Sequence, residues 1–332
     1  MVNKKTVFLF PGQGAQYPGM ALDLLETGSA AVKELFACAS DIMGKDMTAL
    51  LRDSDAEALK RGDTAQPAIT LANLAAAAVL KERGILPTAC AGHSLGEYAA
   101  LHTAGIISME DCLTLVKLRG AAMQEAADAL AAAGGESPGM AAVIGLAPEQ
   151  VETLVAEWKA DAVAAGGALA DLYTANFNSP RQTVVSGTAE ALALAEERFK
   201  TAGARRVIRL QVAGPFHSPL IAGAAEKFLP VLDGVNFKDP TLPFYSNVTG
   251  KRVSSGAEAK KLALAQITRA VRWTDEEKAI QDAGIDCALE AGPGKVLQGL
   301  WKDSLDAEAG DTDSAPPCYL AGTTTDIAAL AI

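Results

Sequence analysis

One short segment constrains this chain more than any other. Pro87-Thr88-Ala89-Cys90-Ala91 reads as a buried strand, Gly92-His93-Ser94-Leu95-Gly96 follows, and a helical pattern runs from about Glu97 to Ala104. The five central residues fit G-x-S-x-G, a turn so sharp that its middle residue takes a strained backbone and only glycine fits the flanking close approaches. Such a turn projects the Ser94 hydroxyl outwards. It also aims the next backbone N–H, that of Leu95, from a helix N-terminus, where an oxyanion can be held. Glycine is frequent here, 30 residues in 332, so the pattern alone arises by chance in roughly one chain in five to ten. The strand before it and the helix after it supply the required context; the alternative is a glycine-rich turn carrying an ordinary serine.

A serine hydroxyl at neutral pH needs a general base, and the chain has three histidines, His93, His102 and His217. His93 adjoins Ser94 on a tight turn, so its side chain should diverge from the serine. His102 lies about 12 Å further along the helix axis and reads as a packed or surface residue. By elimination the base is His217, in the loop Val212-Ala213-Gly214-Pro215-Phe216-His217-Ser218-Pro219. The alternative for a lone histidine there is a cap or core contact. No Asp or Glu is marked by motif as a third member, which leaves a carbonyl or amide to orient the imidazole.

Arg119 stands in the apolar helical run Leu113–Ala122, where a guanidinium is costly to desolvate without an anionic partner. Its planar fork suits a carboxylate; composition alone favours a structural salt bridge or a snorkelling side chain. Two glycine motifs fail. Gly12-Gln13-Gly14 follows a strand, but Tyr17 stands where a dinucleotide fingerprint needs its third glycine. Gly292-Pro293-Gly294-Lys295 lacks the spacing and the Ser/Thr of a P-loop, and reads as a turn into a helix.

The chain alternates strands and helices. Strand Thr6–Phe10 ends at Pro11-Gly12, helical patterns follow at about 20–26, 29–43 and 64–83, and a helix over about 109–130 runs into Gly134-Gly135-Glu136-Ser137-Pro138-Gly139, a linker signal. Beyond it come strand Met140–Leu146, helix 148–160, strands 171–177 and Gln182–Ser186, helix 188–203 and strand Arg205–Val212, the β-α-β-β-α-β order of a ferredoxin-like unit. Helix 218–232, strand Leu242–Asn247, helix 256–270, strand Cys287–Glu290 and helix 295–303 return to α/β alternation, and Asp306–Pro317 reads as an acidic surface loop. The expected class is therefore α/β: a large subdomain with a parallel-sheet core, 1–138 and 213–332, and an inserted ferredoxin-like small subdomain, 139–212.

With 49% apolar and 21% charged residues the chain can bury an ordinary core. Lys+Arg 29 against Asp+Glu 40 leaves a net charge of −11, which disfavours a nucleic-acid or anionic-membrane surface. Five scattered cysteines without C-x-x-C suggest neither zinc nor a disulfide framework. No signal-peptide core or membrane-length apolar run is present in the sequence. A cytoplasmic monomer is expected.

Six motifs stand together in order: Phe10-Pro11-Gly12-Gln13-Gly14-Ala15-Gln16, Gly92-His93-Ser94-Leu95-Gly96-Glu97-Tyr98, Lys117-Leu118-Arg119-Gly120, Asn176-Phe177-Asn178-Ser179-Pro180, Phe216-His217-Ser218-Pro219 and Glu290-Ala291-Gly292-Pro293-Gly294-Lys295-Val296-Leu297. Spanning nearly the whole chain, they resemble those of the malonyl-CoA:acyl carrier protein transacylases. That family's fold is an α/β-hydrolase-like large subdomain with a ferredoxin-like insert. The resemblance implies Ser94 as nucleophile, His217 as base, the backbone N–H groups of Gln13 and Leu95 as oxyanion hole and Arg119 as the site for the malonyl carboxylate. It further implies that the main-chain carbonyl of Gln266 orients the histidine, and it places Asn178 at a polar position near the site without a role. Malonyl-CoA and an acyl carrier protein would be the partners, with no cofactor beyond the substrate's own coenzyme A and no metal. Ile221 departs from the family's frequent methionine, and Gly134–Pro138 lengthens the linker. Because carrier proteins are themselves usually acidic, a local basic face drawn from Arg181, Arg205, Arg206, Lys251, Arg252, Lys260 and Lys261 is one expectation for how one is received, and ordinary solvated charges are the alternative for these residues. A serine thioesterase or esterase on the same turn, a stand-alone acyltransferase of a polyketide pathway, and a non-enzymatic assembly factor are the alternatives.

Overall fold

The computed structural model describes residues 4–132, 136–308 and 315–331. The first two linker glycines, Gly134 and Gly135, and residues 309–314 of the acidic stretch Asp306–Pro317 lie outside the described residues. Among the described residues ten strands are formed: β1 (Thr6–Phe10), β2 (Ala89–Gly92), β3 (Gly139–Ile144), β4 (Leu172–Ser179), β5 (Gln182–Gly187), β6 (Arg206–Arg209), β7 (Tyr245–Ser246), β8 (Lys251–Arg252), β9 (Cys287–Glu290) and β10 (Cys318–Leu320).

A parallel sheet of order β10-β9-β1-β2 forms the centre. β1, β2 and β9 are buried along their whole length, which is why, apart from Thr6 at the start of β1 and Glu290 at the end of β9, they read in sequence as apolar or small-residue runs rather than alternating ones. Their carboxyl ends share one edge of the sheet. Phe10 leads into Pro11-Gly12-Gln13 there, Gly92 into Ser94, and Glu290 into Gly292. Such an edge is where open α/β sheets bind ligands.

The second sheet is antiparallel, of order β4-β5-β3-β6. Its two faces separate cleanly. Ala141 and Val143 pack with helices Pro148–Ala165 and Ala189–Thr201 around Val151, Val155, Leu192 and Phe199, while Met140, Ala142, Ala175 and Val184 join the main core. This period-2 alternation lets one short sheet shield its own helices' core and roof the central site. Backbone bonds from Phe177 N–H to Val271 O and from Val271 N–H to Ala175 O, 2.8 Å each, tie β4 to the segment just before helix Trp273–Asp282.

Several boundaries differ from expectation. β6 covers only Arg206–Arg209 of the expected 205–212, because Leu210 and Val212 turn towards the central cavity. The expected strand Leu242–Asn247 shrinks to Tyr245–Ser246. The helix expected over 256–270 ends at Ala265. A helix not foreseen, Trp273–Asp282, carries two buried carboxylates, Glu276 and Glu277. Its first turn, Thr-Asp-Glu-Glu-Lys, has the composition of a solvated loop.

The turn after β2 is held by backbone meeting backbone. A Cβ on Gly96 would lie 1.9 Å from Phe10 O, and one on Gly92 would lie 2.1 Å from the Gly96 carbonyl carbon. Helix Gly96–Thr103 can therefore rest directly on β1. Replacing Gly96 by Ala should lower the unfolding free energy by about 3 kcal/mol or more, read as a shifted denaturant midpoint. An unmoved midpoint would show that helix and strand can separate without cost.

Candidate active site

Ser94 stands at φ 49°, one of three non-glycine residues with positive φ among the described residues; His217, at φ 57°, is another. The two meet: Ser94 Oγ lies 2.8 Å from His217 Nε2. His217 Nδ1 lies 2.9 Å from the main-chain carbonyl of Gln266. A carbonyl can only accept, so Nδ1 carries the ring proton and Nε2 is left to accept from the serine hydroxyl. The two other histidines are used elsewhere. His93 Nε2 is 2.9 Å from Asn178 Oδ1, whose own Nδ2 donates to Gln182 Oε1, and His102 Nδ1 sits 3.3 Å from Ile107 O. Asn178 thus fixes His93 at the rim.

Arg119 projects into the same place from helix Met109–Ala132 and is 1% exposed. Nη1 donates to Gln66 Oε1 at 2.7 Å, and Nη2 donates to Gln266 Oε1 at 3.0 Å and reaches Ser94 Oγ at 3.4 Å. The guanidinium also lies 5.4 Å from the Tyr98 ring centroid. Among the described residues no carboxylate forms a salt bridge with it, and it does not snorkel. Both structural alternatives for this arginine fail. Gly120 explains how it gets there: a Cβ at that position would lie 2.6 Å from Gly62 O, so the glycine lets two helices close until Gln66 meets Arg119.

Gly12, Gln13, Leu95, Arg119, Asn178, Phe216 and His217 line one cavity with Ser94 at its base; Met140, Val184 and Leu210 form part of its apolar wall. Its far side is the start of helix Val296–Glu308, whose Leu297 and Gln298 amides donate to the buried Glu290 carboxylate at 3.0 and 2.8 Å. The turn Gly292-Pro293-Gly294 therefore positions a wall of the cavity rather than gripping a phosphate. Among the described residues no cluster could hold a metal ion, and no helix is long and apolar enough to cross a membrane.

An acyl transferase domain model matches residues 7–326. The malonyl CoA-acyl carrier protein transacylase of Bacillus subtilis is 41% identical over 298 residues, covering 90% of each chain, and that of Escherichia coli K12 is 38% identical over 313 residues, 93% of this chain and 96% of that one. The chain belongs to the malonyl CoA-acyl carrier protein transacylase family. A solved structure of a type II polyketide acyl-carrier protein in complex with its malonyl-transacylase matches this transacylase fold with a TM-score of 0.84 at 35% identity, over 98% of both chains.

Beneath the site lies a polar layer that sequence motifs did not reveal. Asn247 accepts from the Ser94 amide at 2.7 Å and from Gln266 Nε2 at 3.1 Å, while Gln266 Nε2 also donates to Ser94 O at 2.8 Å. Gln66, Asn247 and the Gln266 side chain are ordinary carboxamides far from Ser94 in sequence, and nothing in their spacing marks them.

Burial, and after it the Arg119 charge, push the His217 imidazole down to about 3. Burial raises Glu97 to about 7 and pushes Glu276 well above the usual carboxylate range, with Glu97 as its next cause. An unfolded chain protonates His217 near 6.5, so between there and about 3 the unfolded state binds the extra proton and this group withdraws stability as pH falls. The imidazole resonances of His217 should accordingly show no titration through 6.5 in a heteronuclear NMR pH series. A midpoint there would mean that the ring is solvated.

Proposed function

We propose that this chain is an acyl-carrier-protein S-malonyltransferase working by a ping-pong route through a malonyl ester on Ser94. The observation that carries this reading is a fully buried arginine with no acidic partner, aimed at a serine that is hydrogen-bonded to a neutral histidine. Ser94 Oγ attacks the malonyl thioester carbon as His217 Nε2 takes its proton. The Ser94 amide is occupied by Asn247, which leaves the amides of Gln13 and Leu95 for the tetrahedral oxyanion. The carbon–sulfur bond then breaks and coenzyme A leaves with the proton returned from His217. In the second half His217 deprotonates the carrier protein's phosphopantetheine thiol, which attacks the ester and releases Ser94.

Arg119 selects a dicarboxylic acyl group and, by fixing its far end, orients the carbonyl over Ser94. It also acts on the base. The unliganded guanidinium is a cause of the depressed His217 pKa, so a substrate carboxylate that neutralises it makes proton uptake by His217 less costly. No resident cofactor enters; coenzyme A arrives with the substrate. We further propose that residues 139–212 form a ferredoxin-like subdomain inserted between the two parts of an α/β-hydrolase-like large subdomain, 1–138 and 213–332. The exposed Arg181, Arg205, Arg206, Lys251, Arg252 and Lys261, with half-buried Lys260, would face the carrier protein. Relatives named for the malonyl CoA-acyl carrier protein reaction favour fatty-acid supply. The polyketide carrier bound to a structurally similar transacylase keeps polyketide supply as a second reading.

Brief mixing with malonyl-CoA should yield a malonyl adduct by intact-protein mass spectrometry that is absent from Ser94→Ala, persists in water and is discharged by a pantetheine thiol. Steady coenzyme A release without an adduct would instead identify a thioesterase. Replacing Arg119 by Ala should reduce malonyl transfer by roughly 100-fold, about 2.7 kcal/mol, while acetyl transfer is spared or improved. Unchanged malonyl kinetics would remove Arg119 from the site.

A further inference from the structure

Asn247 follows β7 and is fully buried. Its carboxamide uses every hydrogen-bonding position it has. Oδ1 accepts from the Ser94 amide at 2.7 Å and from Gln266 Nε2 at 3.1 Å; Nδ2 donates to Gly92 O and to Glu276 Oε1, both at 2.7 Å. The main chain is engaged as well, with Asn247 N–H donating to Glu97 Oε2 and Arg272 N–H donating to Asn247 O, again 2.7 Å each. Reversing the carboxamide would set donor against donor on one side and acceptor against acceptor on the other, so its orientation is fixed by its partners.

These partners are the two sides of the reaction centre. Gly92 O and Ser94 N–H flank the turn that holds the serine at φ 49°. Gln266 is the residue whose main-chain carbonyl lies on His217 Nδ1 and whose Oε1 accepts from Arg119. We propose that Asn247 is a positioning residue for the transfer reaction: one buried carboxamide holds the strained serine turn and, through Gln266, the group that orients the histidine. The proposal rests on the reading of Ser94 as nucleophile and His217 as base. Asparagine is required because two donors and two acceptors must be met at once. Aspartate would keep the contacts to Ser94 and Gln266 but set an anion against Gly92 O and Glu276, with Glu97 on the main-chain N–H, Arg272 bonded to the main-chain carbonyl, and Arg119 and His217 reached through Gln266.

The test measures the rate constant of Ser94 malonylation from malonyl-CoA by rapid-quench mass spectrometry, with the amount of acylated protein as a separate readout. Asn247→Asp should lose at least about tenfold in rate constant at neutral pH, with KM for malonyl-CoA little changed. Its rate relative to wild type at the same pH should recover as pH is lowered, because the neutral acid regains a donor. Asn247→Ala should lose rate without that recovery, and Asn247→Asp combined with Glu276→Gln should regain part of it, since the donor then comes from the other side. A purely structural role predicts fewer acylated molecules at an unchanged rate constant and no altered pH ratio, and that result would overturn the proposal. If the alanine variant does not fold, the aspartate variant and its swapped partner decide the matter on the same two readouts. No adduct on the wild-type protein would overturn the assignment of Ser94 itself, and the proposal with it.

Discussion

A guanidinium buried without a carboxylate is the constraint around which this molecule is arranged. Arg119 is 1% exposed, yet among the described residues its direct partners are neutral oxygens and one aromatic face, Gln66 Oε1, Gln266 Oε1, Ser94 Oγ and the Tyr98 ring, with Glu97 acting on it through space without a direct bond. An uncompensated buried charge is costly. Neutral carboxamides lessen that cost without cancelling the charge, so the field stays available to an incoming anion. A native carboxylate would have stabilised the empty protein and closed the site to the ligand.

The acidic groups nearby follow the same logic. Glu97 and Glu276 lie beneath the turn on either side of Asn247, bound to it rather than to Arg119, and burial pushes both towards their neutral forms. The site therefore keeps its positive charge on one side and spends its carboxylates as hydrogen-bond acceptors on the other. His217 lies between these layers, kept neutral by burial and by Arg119, with its tautomer set by a main-chain carbonyl. The sheet edge brings the pieces together, since the loops after β1, β2 and β9 all leave from the same end of parallel strands.

Much of this was legible in sequence where one physical rule governed a segment. β1 and β9 were legible from short, mostly apolar runs, because strands covered on both faces favour apolar residues, with Thr6 at the start of β1 and Glu290 at the end of β9 as the exceptions. The turn at Gly92–Gly96 was legible because backbone contact leaves glycine as the sole choice at two places. Legibility failed where a tertiary contact overrode local preference. The helix after Gly256 stops at Ala265, and the Gln266 carbonyl that would have continued its hydrogen-bond ladder lies on His217. The helix Trp273–Asp282 is illegible in sequence because its buried Glu276 and Glu277 read as solvated charges, and the bonds to Asn247, Ser304 and Trp273 that hold them inside are tertiary. Arg119 could be singled out as anomalous from its own neighbours in sequence. Its partner Gln66, 53 residues earlier, could not.

Ser94 and His217 share a backbone feature that sets them apart from their surroundings. Both hold left-handed dihedrals without being glycine, a conformation that costs an ordinary side chain of order 1 kcal/mol. The rest of the fold supplies what keeps them there: Asn247 under the serine, and the bond from Ser186 Oγ to Phe216 O, 2.6 Å, beside the histidine. Glycine at either position would relieve that strain only by removing the hydrogen-bonded side chain on which the proposed chemistry depends. Backbone strain and reactivity are therefore inseparable at these two residues.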